Sequence, residues 1–120
     1  MNFIYVFIGG GVGSIIRYVI GLAVARNFYG NLPIATFISN VIACTVLGIT
    51  LYVTRSWLQE NRWVNELIII GFCGGLSTMS TFSKETFQLI NQGATLYAIA
   101  NIFFTLVACF GIMWVMKTFS

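Results

Sequence analysis

Histidine is absent from this chain, and charge is nearly so: 8% of its 120 residues are Asp, Glu, Lys or Arg. Without histidine the usual imidazole base is missing, and no serine has an evident base partner, so a conventional hydrolase is disfavoured. The three cysteines, Cys44, Cys73 and Cys109, stand singly in apolar stretches with no Cys-x-x-Cys pair. That excludes a disulfide framework or a cysteine–histidine metal site and leaves buried spectator thiols. The net charge of +3 is scattered and forms no basic tract, which argues against nucleic acid as a partner. With a single proline and no low-complexity or repeated segment, nothing marks a linker or a boundary between domains.

What the chain does have is apolar surface. Hydrophobic residues make up 58% and the mean hydropathy is +0.91, against roughly 45–50% apolar and about 25% charged in an ordinary soluble domain. The apolar runs have the length of about 20 residues that a bilayer crossing needs. They predict four spans, near Phe3–Ala25, Pro33–Thr54, Val64–Phe87 and Thr95–Lys117. The first is too long, and lacks the basic start, for a cleavable signal peptide. Residues 1–120 therefore read as one all-α membrane domain of four transmembrane helices, with no room for an enzyme head. The connections fall at Arg26–Leu32, Ser56–Asn65 and Gln88–Ala94, and Pro33 opens the second helix, where its missing N–H costs nothing.

Lys and Arg are almost balanced across the membrane. Arg55, Arg62 and Lys117 fall on one side, and Arg26 on the other, with Arg17 and Lys84 near it but within spans. Such asymmetry sets orientation. Here it is weak enough to suit either one weakly signalled orientation or antiparallel pairing of copies inserted both ways. Four helices of ordinary side chains fill their own centre, so transport would need an oligomer, and a dimer is the commonest choice.

Polar residues inside the spans follow a helical spacing. Gly9, Gly13, Arg17 and Gly21 recur every four residues in the first span, the glycines offering a small-residue packing face. Arg17 is an ionisable group in a span and so a functional candidate, with snorkelling to the interface as the bland alternative. Thr36, Asn40, Cys44 and Gly48 align in the second span, and Tyr97, Asn101, Thr105 and Cys109 in the fourth. Interhelical hydrogen bonding is the structural alternative for each stripe. The third span is different in kind: GFCGGLSTMSTFSKETF runs from Gly71 to Phe87. Gly74 and Gly75 are expected to let the backbone leave the helical path, breaking the third helix mid-membrane. Ser77, Thr78, Ser80 and Thr81 follow, and Met79 and Phe82 share a face. Such backbone is tolerated at membrane depth only where protein buries it or it lines a wet cavity. Acidic residues number three in all, with Glu85 inside this span. Stripes of neutral donors with so few acids favour a small anion or neutral solute over a cation.

Three stretches, GGGVGSIIRY (Gly9–Tyr18), LPIATFISN (Leu32–Asn40) and GFCGGLSTMSTFSKET (Gly71–Thr86), together with length and motif order, make the chain resemble the Fluc/CrcB fluoride-channel family. The resemblance implies a passive, fluoride-selective channel in the cytoplasmic (inner) membrane of a microbe, lowering internal fluoride. It implies an antiparallel, dual-topology homodimer with two pores and membrane lipid around it. It places a structural Na⁺ at the dimer centre, on the backbone carbonyls of Gly74 and Ser77. Asn40, Met79, Ser80, Thr81, Phe82, Asn101 and Thr105 would line the pore, Arg17 an aqueous vestibule and Glu85 the pore exit. The sequence departs from the family pattern at Met79, where a phenylalanine is usual, at Asn101 and Thr105, where Tyr and Ser are usual, and at Ala35, where Gly is usual. Met79 is polarizable but lacks the positive ring edge of a phenylalanine. The rival reading is a small multidrug-type, proton-coupled exporter. That chemistry needs a membrane acid in the first span, which carries Arg17 and no Asp or Glu.

Overall fold

A computed structural model describes residues 2–27 and 33–119. Among these, all regular secondary structure is helical. Four helices are long and apolar enough to cross a membrane: Phe3–Asn27, Ile34–Val53, Arg62–Asn91 and Thr95–Thr118. The turn expected at Gly30 and Asn31 lies outside the described residues.

The first span is one uninterrupted helix, α1 (Phe3–Asn27). Pro33 caps the second, α2 (Ile34–Gly48), as the residue just before the first helical turn, and its carbonyl accepts from Phe37 N–H at 3.1 Å. The helix then widens over Ile49–Val53, where Thr54 N–H reaches back five residues to the Ile49 carbonyl at 3.0 Å. Thr45 and Thr50 return their hydroxyls to the carbonyls four residues earlier, both at 2.8 Å. This satisfies them without a partner helix.

The second connection, expected as a loop, is mostly helical: α3 (Arg55–Glu60) and the short α4 (Arg62–Val64). The Trp57 and Trp63 rings meet edge-on at 5.7 Å, and Tyr5 lies 6.2 Å from Trp63. These contacts place the N-terminal end of α1 and the second connection at the same end of the molecule. Such amphipathic rings suit a membrane–water interface.

From Asn65 to Cys73 the third span is a wide, π-type helix packed along α1. Small residues make that approach possible. A Cβ on Gly9 would collide with the Leu67 carbonyl oxygen, and one on Gly13 with that of Phe72. Close backbone packing of this kind stands in for a hydrophobic drive that lipid does not supply.

The expected break lies elsewhere than at the glycines. Gly74 is helical, at φ −65° and ψ −36°, and with Gly75 it belongs to α5 (Gly74–Leu76). Gly75 is small because the backbone of Gly10 lies against it. The path leaves the helix at Ser77 (φ −76°, ψ 153°) and Thr78 (φ −153°, ψ 122°). It resumes as α6 (Met79–Asn91), longer than the hydropathy predicts. Gly93, at φ 81°, then turns the chain. Ala94 N–H bonds to the Leu89 carbonyl at 2.8 Å and Gly93 N–H to that of Ile90 at 3.1 Å, a pairing that needs a left-handed residue at Gly93. The fourth span is α7 (Thr95–Thr118).

The interior is small and partly polar: Thr36, Ser39, Asn40, Ala43, Leu76, Thr86 and Thr105 are all buried. Large side chains such as Phe103, Phe104, Phe110 and Trp114 point outward. That inversion suits lipid as the surrounding solvent.

Candidate functional site

Two extended residues release several backbone groups at once, and α2 supplies the first partner. Asn40, 8% exposed, accepts the Thr78 N–H on its Oδ1 at 2.9 Å. A backbone N–H only donates, so the amide orientation is fixed: oxygen to the break, nitrogen away from it. No acceptor for Asn40 Nδ2 stands among the described residues, so both its hydrogens are available. In an unbroken helix the same Thr78 N–H would have gone to the Gly74 carbonyl, which loses that donor. Ser77 directs both its N–H and its hydroxyl to the Cys73 carbonyl, at 2.9 and 2.7 Å.

Thr78 caps α6. Its Oγ accepts the Thr81 N–H at 3.2 Å and lies 3.1 Å from the Ser80 Oγ. A hydroxyl at this position satisfies one of the orphan donors of the first turn. The cap aims the start of α6 and carries Met79, Ser80, Thr81 and Phe82 with it. Met79 is 70% exposed, Ser80 is exposed, and Thr81 and Phe82 are half-buried. These pore candidates thus stand at the subunit surface, not in a lumen within it.

A second polar group forms where α1, α2 and α6 meet. Arg17 and Glu85 line one cavity of about 360 Å³ together with Ser14, Tyr18, Thr36, Ser39 and Thr81. The Thr36 hydroxyl donates to Glu85 Oε1 at 2.9 Å. Glu85 Oε2 and the Ser39 hydroxyl are buried with no partner among the described residues. Arg17 and Glu85 therefore share a chamber, and the carboxyl is held by a threonine from α2.

The third group joins α6 to α7. Asn101 Nδ2 donates to the Thr86 Oγ at 3.0 Å, and the Thr105 hydroxyl donates to Asn101 Oδ1 at 3.4 Å. Asn101 also borders an open, mainly apolar cleft of about 430 Å³ between α2 and α7, with Pro33, Phe37, Tyr97 and Phe104. Cys109 approaches the Asn40 carbonyl at 3.9 Å.

The fold brings Asn40 to the start of α6, Arg17 to Glu85, and Asn101 to Thr105. It does not join the three groups into one closed path within a single chain. Sequence reasoning left Thr86 and Ser39 without a role and read Thr78 as one hydroxyl among several. The only sequence signal for the cap is a hydroxyl residue, Thr78, just ahead of the run that becomes α6, and Ser77 beside it offers the same signal.

Comparison with known proteins adds a consistent picture. The family model described as CrcB-like protein, Camphor Resistance (CrcB), matches residues 4–116. A protein of Pyrococcus furiosus named fluoride-specific ion channel FluC is 44% identical over 106 residues, covering 86% of this chain and 82% of that one. One of the same name from Azobacteroides pseudotrichonymphae is 42% identical over 101 residues, 79% of each chain. A third, from Methanococcus aeolicus, is 37% identical over 113 residues, 94% of this chain and 89% of the relative.

Proposed function

The chain belongs to the CrcB-like family, and from that premise we propose that it is a passive channel carrying fluoride across the cytoplasmic membrane. It is a membrane protein and not an enzyme. The observation that carries the reading is the Asn40–Thr78 bond. It turns the Asn40 amide oxygen to the break and leaves its two N–H groups without an acceptor among the described residues, available to an anion. Fluoride is small and strongly hydrated, and a pore must replace its water with close donors. The partly positive edge of the Phe82 ring adds a further favourable contact for an anion without a competing full charge. The exporter reading lacks its proton carrier, since α1 holds no Asp or Glu.

A homodimer completes the path. Met79 and Ser80 stand exposed on one subunit and need a second wall, and the near balance of Lys and Arg suits copies inserted in opposite directions. The break also fits a cation between the copies. The Gly74 carbonyl has lost its helical donor, Ser77 follows in extended backbone, and neutral oxygens of this kind suit a hard cation such as Na⁺. When bound, such an ion supplies a fixed positive charge that lowers the cost of an anion nearby.

Protein reconstituted in liposomes loaded with fluoride should release it to an electrode while retaining chloride. Release no faster than from protein-free vesicles overturns the channel reading. A single cysteine in the second connection should label from both faces of the membrane, and one-sided labelling excludes the antiparallel pair. Exchanging Na⁺ for a large organic cation should loosen the dimer on elution, and an unchanged profile removes the cation from the interface.

A further inference from the structure

Three side chains and a carbonyl link α7 to α6 in a line that runs one way. The Thr86 hydroxyl donates to the Phe82 carbonyl at 2.7 Å. A hydroxyl has a single hydrogen, so toward Asn101, 3.0 Å away, Thr86 only accepts. That settles the Asn101 amide: the nitrogen faces Thr86, and Oδ1 faces the Thr105 hydroxyl, which donates to it. Hydrogens therefore pass from Thr105 to Asn101, from Asn101 to Thr86, and from Thr86 to the backbone that carries Phe82.

The line has two consequences. The Thr105 hydrogen is committed to Asn101, which leaves that hydroxyl as an acceptor. Asn101 keeps one N–H over, because an amide nitrogen carries two hydrogens and Thr86 takes one. Thr86 and Thr105 are each 7% exposed, whereas Asn101 is half-buried at the border of the cleft between α2 and α7. Two buried threonines thus hold one partly open amide.

We propose that Thr86 is a positioning residue of the conduction path, turning Asn101 so that its second N–H, and not the Thr105 hydroxyl, is the fourth span's donor to fluoride. The proposal rests on the fluoride-channel reading and deepens it. Thr86 does not touch the ion. It acts through Asn101 and, by its bond to the Phe82 carbonyl, ties that amide to the helix bearing the pore phenylalanine.

The test compares fluoride release from liposomes for Thr86→Val, Thr86→Ser, Asn101→Ala and the double variant Thr86→Val/Asn101→Ala. Thr86→Val, nearly isosteric, should slow release about tenfold, the order expected for one oriented donor to a charged partner. Thr86→Ser, which keeps the hydroxyl, should restore most of it. The double variant should be no slower than Asn101→Ala, because residues acting as one unit are not additive. Thr86→Val at the native rate, or a double loss equal to the product of the single losses, overturns the assignment. A measurement on native protein does not depend on how the variants fold. In a fluoride titration of ¹⁵N-labelled protein, one Asn101 side-chain proton should move and the other should stay. Neither moving, or both moving equally, overturns it as well. A native protein that releases no fluoride sinks the channel reading itself, before any variant is compared.

Discussion

Asn40 and Thr78, 38 residues apart in sequence, are joined by a 2.9 Å bond from the Thr78 backbone N–H to the Asn40 side-chain oxygen. The bond holds the break in the third span against α2 and at the same time decides which end of the amide is left over. Asn40→Asp separates these two jobs. An aspartate keeps the acceptor that Thr78 needs but replaces the amide nitrogen with a second oxygen. The helical fold should persist, and, with Asn40 as the proposed pore donor, fluoride release should fall to the level of empty vesicles, because an anion would then meet acceptors where the proposal gives it donors. Near-native release by this variant would return Asn40 to a purely structural role.

Much of this arrangement was legible in the sequence, for physical reasons that also explain what was not. The spans are local properties of length and hydropathy, and Asn40 and Glu85 stand out because a polar group in an apolar helix has a high desolvation cost. The position of the break is not local. Gly74 and Gly75 lower helix propensity, yet Gly75 is occupied by its contact with Gly10, so the chain stays helical until Ser77. Thr86 does not stand out in the sequence, because a threonine inside a helix ordinarily bonds back to its own backbone. It does so here, to Phe82, and only the fold reveals that its oxygen also receives Asn101.

Thr36 and Glu85 make a second testable pair. The Thr36 hydroxyl is the donor to Glu85 Oε1, while Oε2 is buried without one among the described residues. Thr36→Val should cost about 1–3 kcal/mol of stability, the usual penalty for stranding a buried polar group. Replacing both partners, as in Thr36→Val/Glu85→Met, should recover most of it, because no polar atom is then left unpaired. Thermal unfolding of the purified protein in detergent distinguishes the two. A double variant less stable than Thr36→Val would mean that Glu85 is held by something other than Thr36.

The packing of α1 on the third span predicts opposite outcomes for two glycines two residues apart. A Cβ on Gly13 would meet the Phe72 carbonyl oxygen and the Leu76 nitrogen, whereas one on Gly11 meets nothing within 4 Å among the described residues. Gly13→Ala should destabilise by about 1–3 kcal/mol, in the range of overpacking. Gly11→Ala should leave the subunit's own packing unchanged. Equal melting temperatures for the two variants would contradict the close approach of these helices.

Met79 offers the last contrast, because it combines a conspicuous side chain with ample room. It is 70% exposed on the first turn of α6, three residues before Phe82 and on the same helical face. Met79→Phe therefore needs no repacking within the subunit, and stability should be unchanged. If this position faces the ion path, the new ring presents a positive edge that a thioether lacks, and fluoride release should rise. Met79→Ala removes the side chain without adding an edge and should lower it. Release that is the same in native protein and both variants would place Met79 against lipid, and the pore wall of α6 would then begin at Ser80.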